Sequence, residues 1–239
     1  MDNNVTPSPS YEPFGWHHWH NDFWMSYQFR RGLGETQEGG GAVSEVFQAG
    51  SKIGAHDFES WFREWTHIAE RNDRRGDDEI ASHHVRSAMN CWLRAANYFR
   101  EAEFWLKADD PRRLATFDRC EKASHKFLAH LTPRGEVVEI PYETGKPLPA
   151  YFIRSANGGE RQPVLISVGG LDSFKDELWF MTGRGALQRG CQCCWLTVRD
   201  REARCVDMAL SPGRTMRFRS ESVLIGSRDA PTSTPRELQ

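Results

Sequence analysis

The sequence predicts an α/β protein, with an all-helical domain over residues 1–134, the beginning of a sheet over residues 135–198, and an irregular tail over residues 199–239. Three observations predict it. Apolar side chains recur at three- and four-residue spacing up to about residue 132, short β-rich runs replace that period from Gly135, and no sustained period survives beyond about residue 198. The sheet is therefore begun and left incomplete.

The helical part reads in order. After a Pro/Ser-rich start, WHHWHNDFWMSYQF places Trp16, Trp19, Phe23 and Tyr27 on one helical face, and GLGETQEGGGAV is expected to break that helix. HDFESWFREWTHIAER follows, with Asp57 as N-cap and Phe58, Trp61, Phe62, Trp65, Ile68 and Ala69 forming one apolar stripe. NDRRGDDE reads as a polar turn. SHHVRSAMNCWLRAANYFREAEFWL then carries Val85, Met89, Trp92, Ala96, Phe99, Ala102 and Leu106 at helical intervals. The last helix of the unit starts at Asp110 as N-cap with Pro111 at the first helical position, where the missing N–H costs nothing.

From Gly135, EVVEIPYE and PLPAYFIRS flank the turn-forming ETGKP as a β-hairpin. RQPVLISVGG is apolar throughout its centre, the pattern of a strand covered on both faces. SFKDELWFMTGRGALQRG is helical enough to cross over, and CQCCWLTV returns as a strand. Within the tail only VLIG resembles strand, and the remainder reads as loop or disorder.

Composition excludes several classes. A net charge of −2 and the absence of any basic block interleaved with aromatics argue against nucleic-acid binding. No run approaches the roughly 18 apolar residues of a membrane helix, and the first residues form no signal peptide, so a soluble cytoplasmic protein without membrane attachment is expected. The six cysteines, three of them in CQCC, form no disulfide framework and lack paired C-x-x-C spacing, so reduced thiols and no metal are expected. His17 and His20 could share a helix face, but no partnering ligand motif supports a metal there, and amphipathic packing is the simpler reading. His83 and His84 read as a solvated helix start. The nine Trp and fourteen Phe serve either a core or an aromatic-lined pocket.

The stretch VLISVGGLDSFKDE, residues 164–177, ends a buried-type strand in two glycines before a helical segment. Together with YQFRRGLGETQEGG, WFREWTHIAERN and RAANYFREAEFWL, it resembles the α/β hydrolases that carry an amino-terminal helical domain, a group that includes 2,6-dihydroxypseudooxynicotine hydrolase and polyketide-shortening pigment hydrolases. The resemblance runs from about Pro13 to Cys193. It implies a helical cap over an active-site cavity, a serine nucleophile acting on C–C or ester bonds of a ketone or ester small molecule, no cofactor, and a homo-oligomer as one option. It further implies that the turn after the first long strand, with Gly169 and Gly170 allowing close approach and Leu171 offering its N–H, forms an oxyanion hole. A backbone donor held where negative charge develops is worth about 3 kcal/mol of barrier. The competing reading of this turn is simple packing.

Against that expectation, no G-x-S-x-G occurs anywhere, and all nine histidines lie at or before His130, so nucleophile, acid and base are missing from this chain and it is expected to be inactive as given. A frame slip near Cys193 accounts for the break: codons chosen synonymously for Leu196 to Arg201, CTG ACG GTC CGG GAC AGG, contain DGPGQ in a shifted frame, and a family-like residue is available at each of some forty following positions. The alternative function is a tetratricopeptide-like helical interaction module, carried by the paired-helix pattern of RAANYFREAEFWLKADDPRRLATFDRCEKA. No second copy recurs near the roughly 34-residue period that such repeats require.

Overall fold

The computed structural model describes residues 22–143, 146–169 and 173–197. The expectations for Trp16, Trp19, His17 and His20, for Gly170 and Leu171, and for the tail beyond residue 197 lie outside these residues.

Helix α1, Phe23–Glu35, starts where Asp22 accepts a hydrogen bond from the Met25 N–H at 2.9 Å. The helix ends within GLGETQEGGGAV, as expected. The helix runs to Glu35, a 3₁₀ turn follows over Thr36–Glu38, and a short α2 that sequence periodicity did not reveal covers Val43–Gly50. Helix α3, Phe58–Ala81, is capped by Asp57 as expected, its carboxylate accepting from Ser60 N–H at 3.0 Å. It continues straight through NDRRGDDE. Long-range partners override the polar composition there: Asp77 accepts from the Trp92 indole N–H at 2.9 Å, and Lys126 donates to Asp73 and Asp77. Helix α4, Val85–Glu103, and α5, Pro111–Ala129, follow the expected pattern, with Asp110 accepting from Arg112 N–H at the α5 start.

The sheet contains β1 (Glu136–Glu143), β2 (Lys146–Ile153), β3 (Val164–Val168) and β4 (Gln192–Leu196), in the order β1-β2-β4-β3. The hairpin pairs antiparallel, with Val138 opposite Ala150, and β2 also pairs antiparallel with β4. β3 and β4 run parallel, Leu165 opposite Cys193, so the connection between them is a crossover. That crossover is not one helix as expected. It comprises a 3₁₀ turn over Lys175–Glu177, a π-helical turn over Trp179–Gly183, and α6 over Arg184–Gln188.

Alternation along β2 and β4 divides the sheet. Tyr151, Ile153, Cys193 and Trp195 pack with Trp92, Leu93, Phe127, Leu128, Leu178 and Phe180, while Ala150, Phe152, Cys194 and Leu196 join Ile140 and Leu148 on the opposite face. A separate aromatic core, with Trp61, Trp65, Tyr98 and Phe99 at its centre, holds α1 to α4 together. Most aromatic residues therefore serve packing. β3 departs from expectation: Val164, Leu165, Ile166 and Val168 are all exposed rather than covered on both faces, because β3 is an edge strand among the described residues. The described cysteines are free thiols, and no described helix is long and apolar enough to cross a membrane.

Close approach sets one sequence choice. A Cβ at Gly183 would lie 1.9 Å from Trp195 Cζ2, and Trp195 is buried in the β4 core. Gly183→Ala is expected to destabilise the protein by about 2 kcal/mol or more, since the rigid indole can yield only by shifting β4. Urea unfolding followed by tryptophan fluorescence measures it; an unchanged midpoint would contradict this packing.

Candidate active site

The site grows out of the segment that follows β3. Gly169 closes the strand, its N–H 3.4 Å from the Leu196 carbonyl, and a Cβ there would stand 2.5 Å from the Ser173 carbonyl oxygen. Gly169 and Ser173 therefore stand in close contact, and only glycine fits at position 169. Gly170 and Leu171, the two residues expected to hold an oxyanion, lie outside the described residues, so the site is built from their flanks.

Those flanks are held by unusually many buried polar contacts. Lys175 N–H donates to Thr197 Oγ1 at 2.8 Å, and Phe174 N–H donates to Glu177 Oε1 at 2.9 Å. The Lys175 ammonium, wholly buried, pairs with Glu121 of α5 and stands over the rings of Phe117 and Tyr151. Tyr151 of β2 donates its O–H to Asp176 at 2.7 Å. Burial, reinforced by Asp176, pushes the Tyr151 hydroxyl well above its ordinary value, so it stays a donor. SFKDE is thus the clasp between sheet and helices.

Glu177 anchors the other side. Its Oε2 receives Arg31 Nη2 of α1 at 2.7 Å and Arg100 Nε of α4 at 2.8 Å. Arg100 also donates to Glu101 at 3.0 Å, and Arg31 lies 3.6 Å from Glu35. Among the described residues, the carboxyls of Glu35, Glu101 and Glu177 thus gather around Arg31 and Arg100. Burial pushes the Glu101 carboxyl up to about 7, with Arg100 opposing and Glu35 adding to the rise; Glu35 is raised by the same burial, again against Arg100.

Beside this cluster lies a cleft of about 470 Å³, lined by Tyr27, Arg31, Gly34, Glu35, Ser173, Phe180 and Met181. Arg31 Nη2 donates to Ser173 Oγ at 3.2 Å across it. The cleft opens between α1 and the π turn, next to the turn that leaves the carboxyl end of β3, the place where open α/β sheets hold ligands. Tyr27 and Phe180 give it aromatic walls and Ser173 and Arg31 a polar end. Periodicity pointed to Tyr27 as core, yet it faces the cleft. Arg31, Glu35, Arg100, Glu101 and Glu177 were not singled out from the sequence. Arg100 and Glu101 are buried between Phe99 and Ala102, but α4 carries other polar residues, such as Arg86, Asn90 and Arg94, so sequence alone did not mark them. His83 and His84 are exposed at the start of α4, with His84 2.9 Å from Glu79 and no part in the site.

Two outcomes follow from the cluster. Arg100→Met leaves two buried carboxyls short of a guanidinium and is expected to cost about 3–5 kcal/mol in a urea titration. The pH dependence has a defined sign. Glu101 binds its proton more tightly folded, at about 7, than unfolded, so the folded state carries more protons and stability is lost as pH rises from the ordinary carboxyl range through about 7. Glu101→Gln should flatten that part of the stability profile, and an unchanged slope would refute the assignment.

No protein-family model matches the chain. It is 36% identical over 185 residues to a hydrolase of Aspergillus aculeatus, covering 71% of this chain and 43% of that protein. To an α/β hydrolase of an Acremonium species it is 34% identical over 173 residues, covering 71% of this chain and 41% of the relative. The chain thus spans about two-fifths of the length of the curated relatives it matches. Among solved structures, 2,6-dihydroxy-pseudo-oxynicotine hydrolase superposes with a TM-score of 0.59 at 24% identity over 70% of this chain and 47% of that one, a likeness of fold. With the strand order, the parallel crossover and the helical unit against it, these similarities identify the chain, over the residues they share, as a member of the α/β hydrolases.

Proposed function

We propose that this chain is the helical cap and first sheet segment of a hydrolase acting on a C–C or ester bond of a small ketone or ester. The observation that carries this reading is the position of the cleft: aromatic and polar side chains converge beyond the carboxyl end of β3, where Gly169 and Ser173 stand in close contact. In this reading the backbone N–H groups at Gly170 and Leu171 face the substrate carbonyl oxygen. Such donors, fixed before reaction, stabilise the tetrahedral oxyanion without reorganising. The Arg31 and Arg100 contacts to Glu177, and the Lys175 contact to Thr197, hold the turn's far end so that those amides keep their aim.

Chemistry also needs a nucleophile, an acid and a base, and neither G-x-S-x-G nor any histidine beyond His130 is present in the sequence. The chain as given therefore binds without turning over. We assign the domains as residues 1–134 for the cap, 135–198 for the first part of the hydrolase sheet, and 199–239 for a tail read out of frame after a one-base slip near Cys193. The four exposed apolar residues of β3 support this division, since a strand of that composition is ordinarily paired and covered on its free side.

The test is an esterase assay with p-nitrophenyl acetate on the 239-residue chain, beside resequencing of the gene through codons 188 to 200 and beyond the present stop. The expected outcome is background turnover for this chain, and a one-base difference that restores DGPGQG followed by a G-x-S-x-G. Turnover well above background would refute the inactivity, and a confirmed frame would refute the slip. In a frame-restored chain, Arg31→Ala is expected to lower kcat at least about tenfold by loosening the turn.

A further inference from the structure

The stripe of α1 that walls the cleft continues past it. Tyr27, Arg31, Gly34 and Glu35 line the cleft at the three- and four-residue spacing that keeps side chains on one helical face. Trp24 lies in the same stripe, three residues before Tyr27 and seven before Arg31. It therefore stands about 4.5 Å further along the helix axis than Tyr27 and about 10 Å from Arg31. Trp24 is 64% exposed, Tyr27 41%, and Met181, on the π turn that forms the facing wall, 59%. The Phe23 ring meets the indole at 5.0 Å with the two planes 82° apart, an edge-to-face contact that orients Trp24 and covers at most one of its faces. An exposed tryptophan continuous with an aromatic-walled cleft is the arrangement of a ligand-binding rim, not of a core.

We propose that Trp24 is an outer subsite of the cleft, selecting substrates that carry a flat apolar arm about 10 Å from the polar end where Ser173 and Arg31 stand. The inference rests on the cleft being the substrate site of the proposed hydrolase, and it adds a length and a shape to that substrate. A short ligand placed against Ser173 and Tyr27 ends before it reaches Trp24. A longer one lays its distal part on the indole, and apolar surface of both leaves water. Trp24 is far from the reacting carbonyl in this arrangement, so its contribution is selectivity: it favours long ligands over short ones and leaves short ones alone.

The test is a calorimetric titration of the 239-residue chain with two ketones, acetophenone and 4-acetylbiphenyl, which differ by one distal ring. The wild type is expected to bind 4-acetylbiphenyl about tenfold more tightly than acetophenone, and Trp24→Ala to reduce that ratio to about twofold while acetophenone affinity changes by less than about twofold. Trp24→Phe keeps a ring at the same exposed position and is expected to retain a ratio of about fivefold. Tyr27→Ala is expected to weaken both ketones about fivefold, as it removes a wall that both touch. A ratio that Trp24→Ala leaves unchanged overturns the outer subsite while the cleft reading stands, and so does equal binding of the two ketones by the wild type. Failure of both ketones to bind, or binding that Tyr27→Ala leaves unchanged, overturns the cleft as the substrate site and the outer subsite with it.

Discussion

Glu177 is the residue on which the arrangement depends. It belongs to a short 3₁₀ turn that could not by itself hold any geometry, yet its carboxylate takes one guanidinium from α1 and another from α4 while accepting the amide at the start of its own turn. A carboxylate this deeply buried is stable only if nearly every lone pair is met, and that demand fixes three elements relative to one another. The neighbouring Lys175 repeats the device toward α5. The consequence is mechanical: the turn between β3 and α6 is anchored to the helices by charge, and to the sheet by Tyr151 and Thr197.

The cleft follows from this anchoring. Hydrophobic packing joins the helices to β2 and β4 through Trp92, Phe127, Tyr151 and Trp195, and it would seal the two layers together if it extended everywhere. Along the edge where α1 passes Ser173 and Phe180, polar contacts replace it, and these span a gap that apolar side chains would close. Holding a cavity open beside a buried ion cluster costs stability. That cost is characteristic of binding sites rather than of cores.

Much of the fold was legible because short-range chemistry agreed with it. Asp57 and the Asp110-Pro111 pair mark helix starts by mechanisms that act within one turn, and the hairpin and the strand-crossover-strand order are carried by local period. The errors arose where distant partners decided the outcome. NDRRGDDE has the composition of a loop, but Trp92 and Lys126 supply its acids with donors and keep α3 helical to Ala81. Of the candidate site, the sequence singled out the segment around SFKDE but not the cluster, because no rule links Arg31, Arg100 and Glu177 across nearly 150 positions.

β3 shows how far such pairing carries order. Its apolar run predicts cover on both faces, and among the described residues its hydrogen-bonded partner is β4. A strand of five residues exposing Val164, Leu165, Ile166 and Val168 gains little from the hydrophobic effect, so its position must derive from its neighbours. β4 supplies it. Cys193, Cys194, Trp195 and Leu196 are all buried, Trp195 stands against Gly183 of the π turn, and that turn packs against the helical unit through Phe180. Order thus passes from the aromatic helical core through the crossover to β4, and from β4 to the edge strand. Beyond that last strand the described chain resumes at Ser173, and its position there is set less by β3 than by the helices and sheet fastened to it through Ser173, Lys175 and Glu177.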